Sequence, residues 1–282
     1  MANGKTAKPG GSGPDLATIG GLVLAIGGIL AGLMMEGGKI KDVAQVTAAM
    51  IVLGGTIGAV MVTTPMAVLV RAAKKLGAVF FDGSLPVAGT INDLITYATQ
   101  ARKQGIVSLE QQAAAIPDPF LRKALNLAVD GIDLSQIRSI MELEITLVEQ
   151  DGDAEAKVFE SAGGYAPTIG IIGAVLGLIQ VMKNLANIDE VGRGIAVAFV
   201  ATVYGVGSAN LFFLPAANKL RARVKNEVRR RELMLEGVLS IVEGLNPKLI
   251  STKLEAYLQA KAGKPEGAVK GRVAAQPAAV EG

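Results

Sequence analysis

Residues 161–182 read SAGGYAPTIGIIGAVLGLIQVM, a run that contains no Asp, Glu, Lys or Arg. A helix needs about 20 largely apolar residues to cross the hydrocarbon core of a bilayer, and this run is long enough. On either side of it, further uncharged runs occupy residues 16–35, 43–70 and 194–218. The sequence therefore predicts an all-α integral membrane protein with four transmembrane helices.

The composition fits a membrane protein and excludes several classes of enzyme. Half of the residues are hydrophobic, 35 are glycine and only 4% are aromatic, which suits close packing of helices through small residues in lipid. Cys and His are absent, which excludes disulfides, thiol catalysis, imidazole-bound metals and His-based triads. No P-loop is present. We predict no enzyme activity, no catalytic residue, no metal site and no cofactor, and the net charge of +3 is a weak basis for nucleic-acid binding.

The positions of the basic residues predict the orientation in the membrane. Lys and Arg accumulate on the cytoplasmic side of membrane spans. Basic residues follow the second and fourth runs, whereas the short connectors 36–42 and 183–193 are nearly balanced in charge. The basic residues are Arg71, Lys74, Lys75, Lys219, Arg221, Arg223, Lys225, Arg229, Arg230 and Arg231. We therefore expect a multi-pass protein of the bacterial inner membrane with both termini in the cytoplasm.

This orientation divides the chain into membrane and cytoplasmic segments. The predicted segments are a disordered N-terminus (1–13), the spans TM1 (14–36) and TM2 (43–70), a cytoplasmic helical domain (71–160), the spans TM3 (161–184) and TM4 (192–218), a cytoplasmic helical extension (219–262) and a disordered tail (263–282).

Local signals place helices in the cytoplasmic domain. Ser108 with Gln111, and Asp133 with Gln136, match the spacing of residues that cap the start of a helix. Residues 117–119, Pro-Asp-Pro, should end one helix and begin the next. Apolar residues between 132 and 148 recur with helical spacing. The domain between the second and third spans is therefore expected to be helical.

The spans contain no ionisable side chain at bilayer depth. A charge there costs about 2.5–3.5 kcal/mol or more and usually marks an ion path. A proton carrier working alone should have one, so this chain could only line a path whose titrating group comes from a partner. The available hydroxyl and amide groups more often bond to their own helix or to a neighbour; they belong to Thr56, Thr63, Thr64, Thr168, Thr202, Tyr204, Ser208 and Asn210.

Glycine pairs and prolines mark special points in the spans. The pairs Gly28/Gly32, Gly54/Gly58 and Gly173/Gly177 predict faces where helices approach closely, within one chain or between copies. Of the three span prolines, Pro167 is expected in the first turn of its helix, where proline is tolerated. Pro65 and Pro215 should each remove a hydrogen bond and bend their helix, as a static kink or as a hinge.

Residues 165–179, YAPTIGIIGAVLGLI, resemble the signature of the MotA/TolQ/ExbB family. Within this family the four-span layout resembles the MotA branch, because TolQ and ExbB relatives have three spans. The resemblance extends over roughly residues 15–250. It implies that the chain is a channel-ring subunit of a flagellar motor stator.

The resemblance assigns coupling roles to five residues. The two functional prolines of the family fall on Pro167 and Pro215, which favours the hinge at both positions. Residues 101–110, ARKQGIVSLE, resemble the motif that carries rotor-facing charges, and place them at Arg102 and Glu110. Residues 140–145, IMELEI, resemble a later acidic site and place it at Glu144. We expect Arg102 and Glu110 to be exposed.

The resemblance also identifies residues that line the ion path. Thr202 matches the threonine of the fourth span that lines the path in relatives, and Tyr204 follows it. Sodium-driven relatives usually carry a second threonine seven residues after the first functional proline, where this chain has Ala174. A bare sodium ion needs several oxygen ligands, so the loss of an oxygen favours H⁺ as the transported ion.

The partners implied by the resemblance are a MotB-like single-span subunit that binds peptidoglycan, the rotor switch-complex protein and further copies of this chain, in a pentamer. Three alternatives stay open at this point. The chain could energise another envelope process as TolQ and ExbB do, or drive gliding or secretion; it could belong to a sodium-driven stator; or it could be a passive membrane scaffold without ion flux.

Overall fold

A computed structural model describes residues 13–77, 81–82 and 87–259, which are almost entirely helical. The helices in chain order are α1 (Leu16–Met35), α2 (Ile40–Val43), α3 (Val46–Ala49), α4 (Gly55–Thr63), α5 (Met66–Leu76), α6 (Val87–Gln104), α7 (Glu110–Ala115), α8 (Pro119–Val129), α9 (Leu134–Lys183), α10 (Ile188–Ser208), α11 (Leu214–Val242) and α12 (Pro247–Gln259). Two short extended segments, β1 (Gly13–Pro14) and β2 (Phe81–Asp82), pair antiparallel. The predicted tail, 263–282, lies outside the described residues, as does the predicted N-terminus, 1–13, except Gly13.

Four helical runs in the described residues are long and apolar enough to cross a membrane. They are Leu16–Met35, Ile40–Thr63, Leu134–Lys183 and Ile188–Val242. Each contains one of the uncharged runs, or most of it in the case of 43–70. The prediction of an all-α protein with four spans is therefore confirmed.

The first span, α1, has few contacts with the rest of the chain. Its start is capped by Asp15, whose Oδ1 accepts hydrogen bonds from the amides of Ala17 and Thr18 at 3.0 and 3.2 Å. The Lys219 ammonium group pairs with the Asp15 carboxylate and with the Thr18 hydroxyl. No residue of α1 is buried, so this cap and the Lys219 pair fix only one end of the helix.

The second uncharged run, 43–70, is broken at Thr64 and Pro65. A π-helical turn, Met50–Gly54, joins α3 to α4, and α4 ends at Thr63. Thr64 has an extended backbone with φ −130° and ψ 133°, which is the conformation that a following proline imposes. The expected bend at Pro65 is therefore a complete break, after which α5 begins at Met66.

The third uncharged run is the end of a helix of 50 residues, α9, that begins at Leu134. Pro167 lies inside this helix, so the prediction that it occupies a first helical turn is wrong. The apolar residues 132–148 and the uncharged run 161–182 continue one helical pattern across the predicted boundary at 160, because no residue between them stops a helix.

The fourth span continues into the cytoplasmic extension as one helical run. A second π-helical turn, Ala209–Phe213, separates α10 from α11, and Pro215 is the second residue of α11. Proline cannot donate the usual backbone hydrogen bond, and a π-type turn is a common way to accommodate such a loss. The expected helix after residue 219 is present and runs to Val242.

The described chain forms two compact units. The first unit contains the spans, α5, and the parts of α9 and α11 between Ser135–Glu232. Small residues dominate its core, where Ala48 and Val52 pack against Val200 and Ala201. A further cluster joins the four helices α4, α5, α9 and α11; it contains Val60, Ala72, Ala156, Val158, Phe159, Ala162, Ala216, Ala217 and Leu220.

The second unit contains α6, α7, α8, α12 and the end of α11. Its core is rich in leucine, and each helix except the short α7 contributes a large buried side chain; these include Leu94, Leu125, Leu239 and Leu254. A 3-10 helix, Ile106–Leu109, joins α6 to α7. This unit is therefore a helical domain with an apolar core of its own.

Of the three helix starts predicted for the cytoplasmic segment, two are present in the structure. Asp118 caps α8, with its Oδ1 accepting from the amides of Phe120 and Leu121 at 2.9 and 3.1 Å. The residue before α9 is Asp133, as predicted. The predicted cap at Ser108 is wrong, because its Oγ donates to the Gly105 carbonyl at 2.7 Å within the 3-10 helix.

Candidate functional site

The third and fourth spans are in backbone contact through glycines. A Cβ atom on Gly177 would lie 2.7 Å from the amide nitrogen of Ala198, and one on Gly205 would lie 2.6 Å from the Ala166 carbonyl oxygen. Real Cβ atoms do not approach other atoms so closely, so only glycine fits at either position. The predicted packing face at Gly173/Gly177 is therefore the contact between α9 and α10.

Thr202 and Ala174 flank this contact. A Cβ on Gly173 would lie 2.7 Å from the Cβ of Ala201, and Ala174 and Thr202 are the next residues in their helices. Both are half-buried. The Thr202 hydroxyl donates to the Ala198 carbonyl at 3.2 Å, so it bonds to its own helix in this state and keeps its lone pairs available.

Tyr204 connects α10 to the entry of the second span. Its hydroxyl donates to the Val43 carbonyl at 2.6 Å and accepts from the Gln45 amide at 3.2 Å. The amides of Ala44 and Gln45, between α2 and α3, also donate to the carbonyls of Ile40 and Val43 at 3.1 and 3.2 Å. The Tyr204 hydroxyl is therefore bonded to the backbone at the start of the second span.

Most other polar groups in the spans bond to their own helix, as expected for such groups in lipid. The hydroxyls of Thr63, Thr168 and Ser208 donate to carbonyls three or four residues earlier, and the Asn210 amide does the same. Thr56 is fully buried and its hydroxyl has no hydrogen-bond partner among the described residues.

Of the two family prolines, Pro167 lies within the glycine contact and Pro215 follows it along the chain. Pro167 is half-buried in α9 and follows Ala166, whose carbonyl approaches Gly205. Pro215 is exposed and lines a cleft of about 300 Å³ between α1 and the π-helical turn. Each proline removes one backbone hydrogen bond from its helix, and Pro167 does so beside the close contact between α9 and α10.

Arg102 and Glu110 lie on the second unit, at the two ends of the 3-10 helix and Gly105. Both side chains are exposed, as predicted. Arg102 is in the last turn of α6 and Glu110 begins α7. Neither takes part in an ion pair with another described residue, so both charges are available to a partner.

Glu144 is in a different environment, on the first unit. Its carboxylate lies 3.4 Å from the Arg231 guanidinium of α11, and its side chain is only 30% exposed. Glu227 binds the same guanidinium at 2.9 Å and also pairs with Arg230. Burial raises the pKa of Glu227, but hydrogen bonds from the two arginines outweigh burial and leave the pKa below its ordinary value.

A cluster of ion pairs around one buried carboxylate, near the third span, was not anticipated from the sequence. Glu155 of α9 is 2% exposed and is the one buried charged residue among those described. The Arg71 Nε lies 3.3 Å from one carboxylate oxygen and the Lys75 Nζ lies 2.5 Å from the other. Arg71 also binds Asp151 at 3.1 Å. The cluster ties α5, which follows the break at Pro65, to α9.

The sequence spacing of the residues in this cluster could have predicted that they meet. Arg71 and Lys75 are four residues apart, as are Asp151 and Glu155, so each pair shares one face of a helix. A second link, between Glu160 of α9 and Arg221 of α11, has N–O distances of 2.5 and 3.2 Å. The hydrogen bond from Arg221 lowers the pKa of the Glu160 carboxyl.

Comparison with known proteins places this arrangement in a family. The model of the MotA/TolQ/ExbB proton channel family matches residues 112–233, and that of the Motility protein A N-terminal region matches residues 19–104. Motility protein A of Bacillus subtilis (strain 168) is 37% identical over 88% of this chain and 92% of that protein. Chemotaxis protein PomA of Vibrio alginolyticus is 33% identical over 86% of this chain and 95% of that protein.

Solved structures agree with the sequence relatives. The structure of C. jejuni MotAB superposes with a TM-score of 0.82 at 34% identity, over 86% of this chain and 95% of the matched chain. The flagellar MotAB stator complex from Bacillus subtilis superposes with a TM-score of 0.80 at 37% identity, over 87% and 97%. With two family models and full-length relatives matched, the chain belongs to the MotA/TolQ/ExbB proton channel family.

Proposed function

We propose that this membrane protein is the channel-ring subunit of a flagellar stator, which couples proton flow across the inner membrane to torque on the rotor. Its relatives include Motility protein A and chemotaxis protein PomA, and its structural neighbours include MotAB complexes. The observation that carries the mechanism is the glycine contact between α9 and α10, flanked by Thr202 and free of any ionisable side chain. Such a surface can line a path but cannot hold a proton.

The titrating carboxylate comes from a MotB-like partner that crosses the membrane once and binds peptidoglycan. Several copies of this chain, five in the ring we propose, surround a dimer of that partner. The partner's Asp takes a proton from outside and releases it inside. Basic residues after the second and fourth spans support an orientation with both termini in the cytoplasm.

The transported ion is H⁺. Ala174 presents a methyl group beside the contact that Thr202 flanks from the other helix, so one oxygen is available there where a sodium site would use two. A proton passes between a carboxylate and water without a cage of oxygen ligands. Replacement of Ala174 by Thr tests this assignment, since it restores an oxygen that sodium needs.

One proton supplies enough energy for one step of the ring. A charge that crosses a potential of about 150 mV releases roughly 3–4 kcal/mol, whereas couplings between sites typically amount to about 1–3 kcal/mol. Movement at Pro167 and Pro215 passes through the continuous helices α9 and α11. Arg102, Glu110 and Glu144 act on the rotor switch-complex protein. Arg102 and Glu110 are the direct contacts, because neither has an ion pair with another described residue.

Reconstitution in vesicles tests this division of labour. The chain alone should carry no proton current, and the chain with its partner should acidify the lumen when a potential is imposed. Replacement of the partner's intramembrane Asp by Asn should abolish the current while the complex still assembles. Robust proton flux from the chain alone would refute the proposal.

A further inference from the structure

A polar cleft in the first unit borders the break in the second uncharged run, and the proposed ion path does not use it. The cleft has a volume of about 360 Å³ and opens between that break and α9. Five of its nine lining residues have polar side chains, and the other four are proline or aliphatic; the polar ones are Thr63, Thr64, Lys157, Ser161 and Tyr165. The cleft can therefore bind a polar group and not only a hydrocarbon chain.

Three of the polar residues share one face of α9. Lys157, Ser161 and Tyr165 follow one another at intervals of four residues, which places their side chains in a row along the helix. Ser161 lies about two and a half turns before Gly170, where a Cβ would lie 2.9 Å from the Ala201 carbonyl oxygen of α10. The row therefore lies on the side of α9 that faces away from α10, and the cleft is separate from the glycine contact.

The hydroxyl groups in the cleft are available to a ligand. Those of Thr64, Ser161 and Tyr165 form no hydrogen bond with another described residue. The Thr63 hydroxyl is different, because it donates to the Ala59 carbonyl at 3.2 Å. Three hydroxyl groups that line one cleft can therefore donate to a bound group.

The Lys157 charge is not neutralised within the part of the chain that the structure describes. Its side chain is exposed and forms no ion pair there, even though Asp153 lies one helical turn before it. Glu160, three residues after it, has both carboxylate oxygens bonded to Arg221, at 2.5 and 3.2 Å. An ammonium group and three hydroxyl groups are thus free in one cleft.

The cleft lies where the apolar and the charged parts of the helices meet. Lys157 is four residues before the uncharged run 161–182, and Thr64 is near the end of the run 43–70. Towards the apolar side, Val62 of α4 is exposed, and so is Ile172 of α9, seven residues after Tyr165 on the same face. In a membrane, lipid phosphate groups lie at the level of the cleft and acyl chains lie against the exposed apolar residues.

The polar groups of the cleft match the chemistry of a phosphate. Ammonium groups bind phosphate oxygens through charge-assisted hydrogen bonds, and hydroxyl groups of Ser, Thr and Tyr donate to them as well. Basic pockets between membrane helices on the cytoplasmic side receive acidic lipid headgroups. An acidic lipid supplies the negative charge that Lys157 lacks, whereas a zwitterionic lipid brings a cation of its own.

We propose that this cleft binds the phosphate group of an anionic phospholipid from the cytoplasmic leaflet. Lys157 pairs with the phosphate, the hydroxyl groups of Thr64, Ser161 and Tyr165 donate to its oxygens, and the acyl chains lie along α4 and α9. The site goes beyond the proposed function. It requires the orientation of the spans given above, but no ion flux and no rotor.

Tryptophan fluorescence tests the site, because the chain contains no native tryptophan. Val62→Trp places one beside the cleft, at a position that is 88% exposed. The purified full-length variant is reconstituted in phosphatidylcholine with a small share of bromine-labelled phosphatidylglycerol, which quenches a tryptophan that it touches. The binding constant from this quenching should exceed that of bromine-labelled phosphatidylcholine about fivefold, the factor that corresponds to about 1 kcal/mol for one lysine at an anionic lipid surface.

Substitution of the lysine tests the charge. In the Val62→Trp background, Lys157→Gln should make the two binding constants equal, and Lys157→Arg should keep the preference. The matched control is Lys183→Gln, since Lys183 is an exposed lysine at the other end of α9 that also has no ion pair with a described residue. It should keep the fivefold preference. A preference that survives Lys157→Gln would refute the site.

A second variant tests the hydroxyl groups without changing any charge. Ser161→Ala together with Tyr165→Phe removes two oxygen atoms and leaves the rest of both side chains in place. It should lower the preference for bromine-labelled phosphatidylglycerol over a bromine-labelled diacylglycerol, which has no phosphate, about threefold. An unchanged preference would show that the phosphate is not held in this cleft and would overturn the inference.

The same measurement identifies the other occupants. Relief of the quenching by excess inorganic phosphate would assign the cleft to a soluble anion. Absence of quenching by every labelled lipid would assign it to a contact with a second copy of the chain. Either result refutes the lipid site, and neither affects the proposed function, which is tested by proton flux with the partner.

Discussion

At the scale of single residues, Glu155 is the charge whose environment differs most from the surface. Burial removes it from water, and Arg71 and Lys75 compensate from α5. Removal of one member of a buried pair leaves the others without a partner, which is costly. Arg71 and Lys75 are about half-exposed, so water can solvate them in part and reduces that cost.

Glu155→Gln should therefore lower the free energy of unfolding of the purified protein by about 1–3 kcal/mol. The control is Glu142→Gln, whose exposed partner Arg138 lies one helical turn away at 3.6 Å; it should change stability by well under about 1 kcal/mol. Thermal inactivation midpoints of the two variants measure the difference. Equal midpoints would mean that the buried cluster contributes nothing to the fold.

The Glu227 carboxylate makes stability depend on pH. Its pKa is lower in the folded protein than in the unfolded chain, so its stabilisation is present above the unfolded pKa, about 4.5, and is lost as the pH falls through the folded pKa. Glu227→Gln should lower the melting temperature near neutral pH, and the difference from the unmodified protein should shrink in acid. A difference that is constant with pH would contradict this linkage.

At the scale of elements, contact between α9 and α10 depends on the absence of side chains at their crossing. Gly177→Leu would force the helices apart, because even a Cβ there meets the backbone of Ala198 and Gly194 at less than 3 Å. We expect loss of assembled, conducting complex, measured by partner co-purification and proton flux. Gly164→Leu is the control, since a Cβ on Gly164 has no atom within 4 Å. Normal flux from the Gly177 variant would show that the crossing is not part of the path.

At the scale of the whole molecule, α1 has an apolar surface that the other described residues do not cover. Cβ atoms on Gly28 and Gly32 would meet nothing within 4 Å. Gly28→Leu should therefore leave the fold of one subunit unchanged, as judged by helical content and melting. If the predicted packing face of α1 works between copies, the same variant should reduce the ring to smaller species in size-exclusion chromatography. A variant ring of unchanged size would assign this face to lipid.

The amino-acid sequence alone determined the four spans and the missing titratable group, because hydropathy and charge are properties of each segment by itself. It also determined the helix boundary at residues 117–119, because proline restricts the backbone locally. The exposure of Arg102 and Glu110 was expected together with the family resemblance and is confirmed. The sequence failed for Pro167, because the third span was expected to begin at residue 161, whereas the helix that contains it begins at Leu134.

Only the tertiary structure decided which charges are paired. Arg71 and Asp151 are 80 residues apart, and Arg231 and Glu144 are 87 apart. The pairing depends on which helix faces meet after folding. The four-residue spacing of charges on α5 and on α9 makes the pair between Arg71 and Asp151 possible, but the spacing alone does not determine that these two helices meet. Glu144 resembled a free docking charge in sequence and is bound to α11 in the structure, because packing of the two long helices places Arg231 beside it.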